Sequence, residues 1–358
     1  MRLLYNSGIY LTNAAIRLAA LFNPKARLWV RGRKGIFDKL ARTVDSGADY
    51  IFYLPPDTPR NVRRFMAIVR PKIAVFVKYE FWVNYLLAMK RAGTKLYLIS
   101  SIFRDGQIFF RPYGGLFRSA LRAFRHIFVQ NDSSRNLLKS IGIEQVSVAG
   151  DTRFDRVYEI AQQAKRLPEI ERFAADAPVF IAGSTWPPDE ELLVGLIERY
   201  PDVKFIVAPH EIDPARIEKF CERISRPALR YTQLTPQSDL AAAGVLFVDT
   251  IGILSSVYRY GRWGYIGGGF GAGIHNTLEA ATFGLPLAFG PRYGKFREAR
   301  DLVTLRGAAS IASAEELERW FAGLHDDPDA TGRSGTICKE YVLQHKGATA
   351  RIMDEICR

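Results

Sequence analysis

Residues 263–279 read WGYIGGGFGAGIHNTLE. A β-rich run, 263–266, breaks at Gly267, Gly268 and Gly269 and re-enters a helical pattern at Thr277. Glycines let a backbone approach a ligand closely, and a helix start offers unpaired N–H groups and the positive end of its dipole. The spacing is not that of a dinucleotide-binding GxGxxG turn, so the stretch predicts an anion-binding strand–turn–helix without fixing the anion. Asn276 and Glu279 carry two readings. Asn-x-x-Glu is a capping box whose side chains serve the helix's own donors; Glu279 can equally turn toward a ribose hydroxyl.

Working outward, short β-rich runs alternate with helical patterns on both sides. Strands are expected over 179–182, 204–208, 228–231, 245–248 and 286–289. Helices are expected over 189–200, 214–224, 252–260, 277–283, 296–305 and 314–324, with a closing helix over 336–358 entered from a turn at Gly332–Gly335. Upstream the same alternation gives strands over 50–54, 72–77, 95–99, 126–129 and 146–149, separated by helices over 59–69, 81–91 and 133–141. Alternation of this kind builds parallel sheets with crossover helices. The polar stretch 161–178 reads as a connection. The fold class is therefore α/β, with two Rossmann-like domains, 25–165 and 170–335, whose strand carboxyl edges face a cleft.

The chain of 358 residues carries a net charge of +13. Such an excess attracts polyanions. No zinc-finger spacing, aromatic RNP-like motif or basic tail points to nucleic acid. Cys221, Cys338 and Cys357 are scattered and odd in number, which predicts neither a metal site nor a disulfide framework. Residues 1–24 hold an apolar stripe (Leu4, Gly8, Leu11, Ala15, Leu18, Phe22) followed at once by Lys25, Arg27, Arg31, Arg33, Lys34, Lys39 and Arg42. An apolar helix with a basic flank suits an anionic bilayer surface. A first helix packed on the protein's own core gives the same pattern.

Further polar clusters follow predicted strands, where open α/β sheets keep their working groups. They are Lys78-Tyr79-Glu80-Phe81-Trp82, Gly150-Asp151-Thr152-Arg153-Phe154-Asp155, Pro209-His210 and Asp249-Thr250-Ile251-Gly252-Ile253. Each has a structural alternative. Glu80 can pair with Lys78, His210 can be a satisfied structural histidine, and Asp249 can cap a helix. Arg153 offers a rigid cationic fork for a phosphate or carboxylate.

Together these segments resemble the 3-deoxy-D-manno-octulosonic acid (Kdo) transferases of lipopolysaccharide synthesis. KYEFWVN (78–84) is similar to the family's Glu-x-x-Trp segment and GDTRFD (150–155) to its Gly-x-x-(Lys/Arg)-Phe-Asp. Residues 207–210 are similar to its Ala-Pro-(Arg/His), 249–252 to its Asp-Thr-x-Gly, and 276–279 to its Asn-x-Leu-Glu. The resemblance implies a GT-B-like inverting glycosyltransferase that moves Kdo from CMP-Kdo to a lipid A precursor, with 25–165 as acceptor domain and 170–335 as donor domain. It implies that Pro209, His210, Ile251, Gly252, Ile253, Asn276, Thr277, Leu278 and Glu279 hold CMP. Glu80 and Arg153 would stabilise charge in the transition state. It further implies no metal, no cofactor beyond the donor, and a place on the cytoplasmic face of the inner membrane.

One departure is large. In the family a strand, a small-residue-Gly-Glu turn that supplies the general base, a helix and a second strand precede the region matched by 50–54. Here 35–49 runs almost directly into that region, and no glutamate precedes Glu80. The N-terminal domain is thus expected to lack its first strand–helix–strand segment, and no residue is assigned as base. Two alternatives stay open: a UDP-sugar enzyme of the same architecture, and a catalytically impaired CMP- and lipid-binding homologue.

Overall fold

The computed structural model describes residues 1–34, 36, 37, 51–175 and 177–357. Most of 35–49, where the missing segment is expected, lies outside the described residues, as do Tyr50, Lys39 and Arg42. The chain divides into two compact units, Met1–Thr152 with Gly347–Arg358, and Arg153–Lys346.

Unit 1 opens with α1 (Arg2–Ala19) and α2 (Pro24–Gly32). The α2 start is fixed by Asn23, whose side chain accepts from Lys25 N and Ala26 N. A parallel sheet follows in the order β1-β2-β3-β4: β1 (Ile73–Val77), β2 (Lys95–Ser101), β3 (His126–Val129) and β4 (Val146–Val148). α3 (Pro59–Val69) precedes β1, and α4 (Val83–Arg91), α5 (Gly115–Leu121) and α6 (Asp132–Ser140) run between successive strands. α3 begins on Thr58, whose Oγ1 accepts from Asn61 N, with Pro59 at the first turn. The start of α4 is held from a distance: buried Asp57 accepts from Asn84 N at 2.9 Å and Tyr85 N at 3.0 Å. Tyr5 of α1 donates to the same carboxylate at 2.6 Å. The first turn of α1 therefore docks on its own unit, while Leu3, Leu4, Leu11 and Leu18 stay exposed.

Residues 51–54 form no strand, contrary to the sequence expectation. Ile51 is fully exposed, Arg33 donates to Leu54 O, and Pro55 and Pro56 lack amide donors for a ladder. Among the described residues β1 is consequently an edge. Ile73, Val75 and Val77 are each 45–46% exposed, whereas Leu96 and Leu98 of β2 are fully buried.

Unit 2 holds a seven-stranded parallel sheet in the order β11-β10-β9-β5-β6-β8-β7. The strands are β5 (Val179–Thr185), β6 (Lys204–Pro209), β7 (Ala228–Arg230), β8 (Val245–Phe247), β9 (Trp263–Ile266), β10 (Leu287–Phe289) and β11 (Ala308–Ser310). β11 was not legible in the sequence. The unit starts within α7 (Thr152–Gln162) and adds α8 (Pro168–Ala174), whose Ile170 and Phe173 are fully buried in the core around β5. The stretch expected to connect domains is thus largely part of unit 2. The expected closing helix is two: α15 (Pro328–His345), which absorbs Gly332–Gly335, and α16 (Ala348–Ile356). Gly347 separates them at φ 99°, a left-handed conformation that suits glycine. α16 belongs to unit 1, where Ile352 packs with Tyr97, Phe128 and Ala149.

The contrast along the unit 1 sheet predicts the cost of truncation. Leu98→Ala is expected to lower unit 1 stability by about 2–5 kcal/mol, and Val75→Ala by only about 0.5 kcal/mol. Chemical denaturation of the full chain measures both; equal losses would mean that β1 is covered.

Candidate functional site

The chain enters the unit 2 sheet at β5, winds to β6 and β8 on one side, and then returns to β9 and β10 on the other. The crevice beyond the carboxyl ends of β5 and β9 is therefore the topological switch point, where open α/β sheets bind ligands. Two turns meet there. One is Ser184-Thr185-Trp186, leading into α9 (Pro187–Arg199); the other is the glycine loop after β9.

Gly267 and Gly269 are needed for close packing. A Cβ on Gly267 would lie 2.2 Å from Ser184 O, and one on Gly269 would lie 2.6 Å from Gly290 Cα. Gly268 and Gly273 take φ 93° and 138°. Buried Asp189 joins the turns: it accepts from Trp186 N at 2.9 Å, Gly268 N at 2.9 Å and the Tyr265 hydroxyl at 2.7 Å.

Over this clamp stand Trp186, His275 and His210. Trp186 Nε1 donates to His275 Nε2 at 2.9 Å, which leaves the His275 proton on Nδ1. The His210 and His275 rings stack 4.2 Å apart, and His210 lies 4.9 Å from the Trp186 ring. Burial first, and His210 second, push the His275 pKa down from 6.5. A cavity of about 360 Å³ opens here, lined by Trp186, Asp189, Phe270, His275 and the loop from Gly271 to Gly273. Trp186, Asp189 and His275 were missed as site residues. STWPPDE reads locally as a helix start, and the stacking comes from chain separations of 65 and 89 residues.

The residues assigned to CMP all lie in unit 2, at or after the carboxyl ends of β6, β8 and β9, and none is among the cavity's described lining residues. Pro209 ends β6 and is buried, while His210 is exposed. Ile251 is 89% exposed in the loop after β8, Gly252 has φ 93°, and Ile253 precedes α11 (Leu254–Val257). Asn276 and Glu279 do not form the reciprocal capping box. Asn276 Oδ1 accepts from Leu278 N at 3.1 Å, and its Nδ2 donates to Glu279 Oε1 at 2.9 Å. Thr277 Oγ1 is buried with no hydrogen-bond partner among the described residues, and Leu278 is fully buried. α12 (Leu278–Thr282) has five residues, so its dipole adds less than the sequence implied.

Other expectations change partner. Lys78, at φ 57°, bonds buried Asp151 at 3.4 Å rather than Glu80, and exposed Glu80 accepts from Trp82 Nε1. Asp249 caps no helix. It takes Arg230 at 2.9 Å and both Thr232 N and Oγ1; these bonds hold its pKa low against burial. Arg153 forms a two-point pair with buried Glu298, at 2.8 and 3.3 Å. Glu80 falls in unit 1 and Arg153 in unit 2. Among the described residues no three His, Cys, Asp or Glu side chains are placed to hold a metal.

Residues 33–156 match the family model of 3-deoxy-D-manno-octulosonic-acid transferase (kdotransferase). Over that stretch the chain is similar to the Kdo transferases. The Kdo transferase of Bordetella pertussis is 25% identical over 318 residues, covering 85% of this chain and 73% of that protein. That of Aquifex aeolicus is 24% identical over 297 residues, covering 81% and 73%. Among solved structures, UDP-GlcNAc 2-epimerase from Neisseria meningitidis superposes with a TM-score of 0.59 at 15% identity, over 84% of this chain and 80% of that one. A putative UDP-N-acetylglucosamine 2-epimerase from Listeria monocytogenes gives 0.57 at 12%, over 83% and 78%. These likenesses speak for the GT-B-like fold alone. The sequence relationship places the chain among the glycosyltransferases.

The clamp predicts its own test. Asp189→Ala strands two backbone donors and a phenol, and is expected to destabilise unit 2 by at least about 3 kcal/mol. Hydrogen exchange at Gly268 and chemical denaturation report it.

The histidine pair adds a pH dependence. Because folding lowers the His275 pKa, the unfolded chain binds the proton more readily, so stability rises with pH and falls as pH drops below 6.5. His275→Phe is expected to flatten that acid loss relative to the parent chain, read from denaturation midpoints across the interval.

Proposed function

We propose that the chain transfers Kdo from CMP-Kdo to a lipid A precursor, with inversion, at the cytoplasmic face of the inner membrane. The observation that carries the donor side is the Trp186–His275–His210 stack above the Asp189-clamped glycine loop. The stack supplies flat surfaces for a pyrimidine or sugar ring. Asn276 occupies one oxygen of Glu279 and orients the carboxylate, which suits it to accept from a ribose hydroxyl. The loop backbone then lies where a phosphate would sit. Pro209, Ile251, Gly252 and Ile253 complete the CMP contacts implied by the sequence resemblance.

In the proposed reaction the acceptor hydroxyl attacks the anomeric carbon and CMP leaves with the electron pair on its phosphate oxygen. Glu80 and Arg153 take the charge-stabilising roles, with Glu298 fixing the Arg153 fork. The hydroxyl proton must pass to a base, and no glutamate precedes Glu80 to receive it. That observation favours a second reading, a homologue that binds its ligands better than it turns them over, since a positioned base contributes roughly 10²–10⁴-fold. Membrane attachment through α1 is supported by its exposed Leu3, Leu4, Leu11 and Leu18 and by the basic residues of α2. No helix among the described residues is long and apolar enough to cross a membrane.

Calorimetry with CMP and UDP tests the donor. CMP is expected to bind the more tightly, and Glu279→Ala to weaken it by about 1–3 kcal/mol. Preference for UDP would replace the donor assignment. Turnover of CMP-Kdo with a lipid A precursor separates the two readings: binding without turnover marks the impaired homologue.

A further inference from the structure

Five cationic side chains of unit 1 surround a cavity of about 590 Å³ that the donor site leaves unused. Arg17 of α1, Arg31, Arg33 and Lys34 at the end of α2, and Arg64 of α3 line it, and none of its described lining residues is acidic. Its apolar walls are Trp29, Ile36, Phe37, Pro55 and Pro56. The frame is built to last: Asn23 caps α2, and Arg27 donates to Ala20 O and Leu21 O, pinning the turn between α1 and α2.

Two of the cations are fixed against that wall. Arg33 stacks 3.9 Å from the Trp29 ring and donates to Leu54 O and Trp29 O, and burial lowers its pKa. Arg64 lies 4.1 Å over Phe37. Arg17, Arg31, Lys34 and Arg64 have no carboxylate partner among the described residues. Like charges gathered round one cavity repel, and an anion seated among them removes that cost and gains charge-assisted hydrogen bonds. Asn13 adds a second requirement. It lines the same cavity, and its Oδ1 is buried with no hydrogen-bond partner among the described residues, so the fitting ligand also brings a hydroxyl or amine donor. The exposed leucines of α1 continue the apolar surface beyond Arg17.

We infer that this cavity is a discrete site for a phosphorylated lipid headgroup that carries a hydroxyl near its phosphate. Arg31 and Arg64 hold the phosphate, Asn13 Oδ1 accepts from the hydroxyl, and the proximal chain runs along Trp29 and Phe37. The volume lies within the range of ordinary ligand pockets, about 300–1,000 Å³. A stoichiometric site of this kind differs from diffuse attraction of a basic helix to an anionic surface, which has no fixed partner and no saturation. It lies wholly in unit 1 and does not depend on the identity of the donor.

The experiment titrates the full chain with dihexanoyl phosphatidylglycerol below its micelle concentration, by calorimetry. Saturation at one lipid per chain is expected, with dihexanoyl phosphatidylcholine and inorganic phosphate each at least tenfold weaker. Arg31→Gln with Arg64→Gln is expected to weaken binding tenfold or more, and Asn13→Leu severalfold. Arg70→Gln with Lys139→Gln, outside the cavity, should change nothing. Unsaturable binding, or equal loss from the Arg31/Arg64 and Arg70/Lys139 double variants, would overturn the site in favour of diffuse attraction. Inorganic phosphate binding as tightly as the lipid would overturn the lipid assignment. Melting curves and CMP titration of the same samples identify misfolding; should a variant fail to fold, the ligand series on the parent chain still decides. CMP binding lost without lipid binding would count against the donor reading alone.

Discussion

The Asp189 carboxylate sits at the first turn of α9, buried, and receives three donors from three places: Trp186 N, Gly268 N and the Tyr265 hydroxyl. A charge removed from water is costly unless its lone pairs are met, and these three donors meet them. The same bonds dictate where the site can be. They tie the exit of β5 to the exit of β9, the two strands between which the winding reverses, and hold the glycine loop against the strand ends at a separation that only glycine permits at Gly267 and Gly269. Trp186 is thereby aimed at His275, His275 is left as a neutral acceptor, and His210 is stacked upon it. Neighbouring Glu190 shows the same economy: Thr185 donates to it at 2.9 Å and Arg216 approaches at 3.4 Å, while burial pushes its pKa up.

How much of this was legible follows from the range of each interaction. α3 was readable to its ends because Thr58, Pro59 and an amphipathic repeat are local signals. The strand–glycine–helix at 263–279 was readable because glycine clusters encode close approach. Residues 51–54 of the strand expected at 50–54 have no neighbour among the described residues, and β propensity is real only where another strand supplies the ladder. Asp57 capping α4, Asp249 clamping Arg230 and Thr232, and Glu298 gripping Arg153 all join separate elements of the chain, and for Asp249 a plausible local role as a helix cap hid the more distant one. Asn276 and Glu279 show the limit most clearly. Their spacing permits a capping box, yet the folded turn links the two side chains to each other, which leaves Glu279 polar, half-buried and oriented.

The two units differ in how completely they bury their sheets. Around β5 both faces are covered, and Phe180, Ile181 and Ala182 are at most 1% exposed. Among its described residues unit 1 instead presents an edge strand with three exposed branched residues. Its integrity rests more on polar anchors: Tyr5, Asn84 and Tyr85 converge on Asp57, and Arg351 of α16 returns to Ala149 O at 2.7 and 3.0 Å. The first helix is thus held by hydrogen bonds at its start and left apolar along its length. That division lets one element both belong to the unit and meet a second surface.

This asymmetry bears on the proposed chemistry. In glycosyl transfer the donor's affinity and the acceptor's deprotonation are separable demands, the first met by shape and fixed dipoles, the second by one base within about 3 Å of a proton. On the proposed reading, the donor demands fall on unit 2, where the clamp, stack and glycine loop are complete within one sheet and need nothing from the region before residue 51. The acceptor demands fall on unit 1, whose sheet begins at an edge and whose sequence offers no glutamate ahead of Glu80. A change confined to the early part of unit 1 would therefore remove turnover while leaving ligand recognition whole. Affinity for the nucleotide, taken alone, is for that reason no measure of catalysis in this chain.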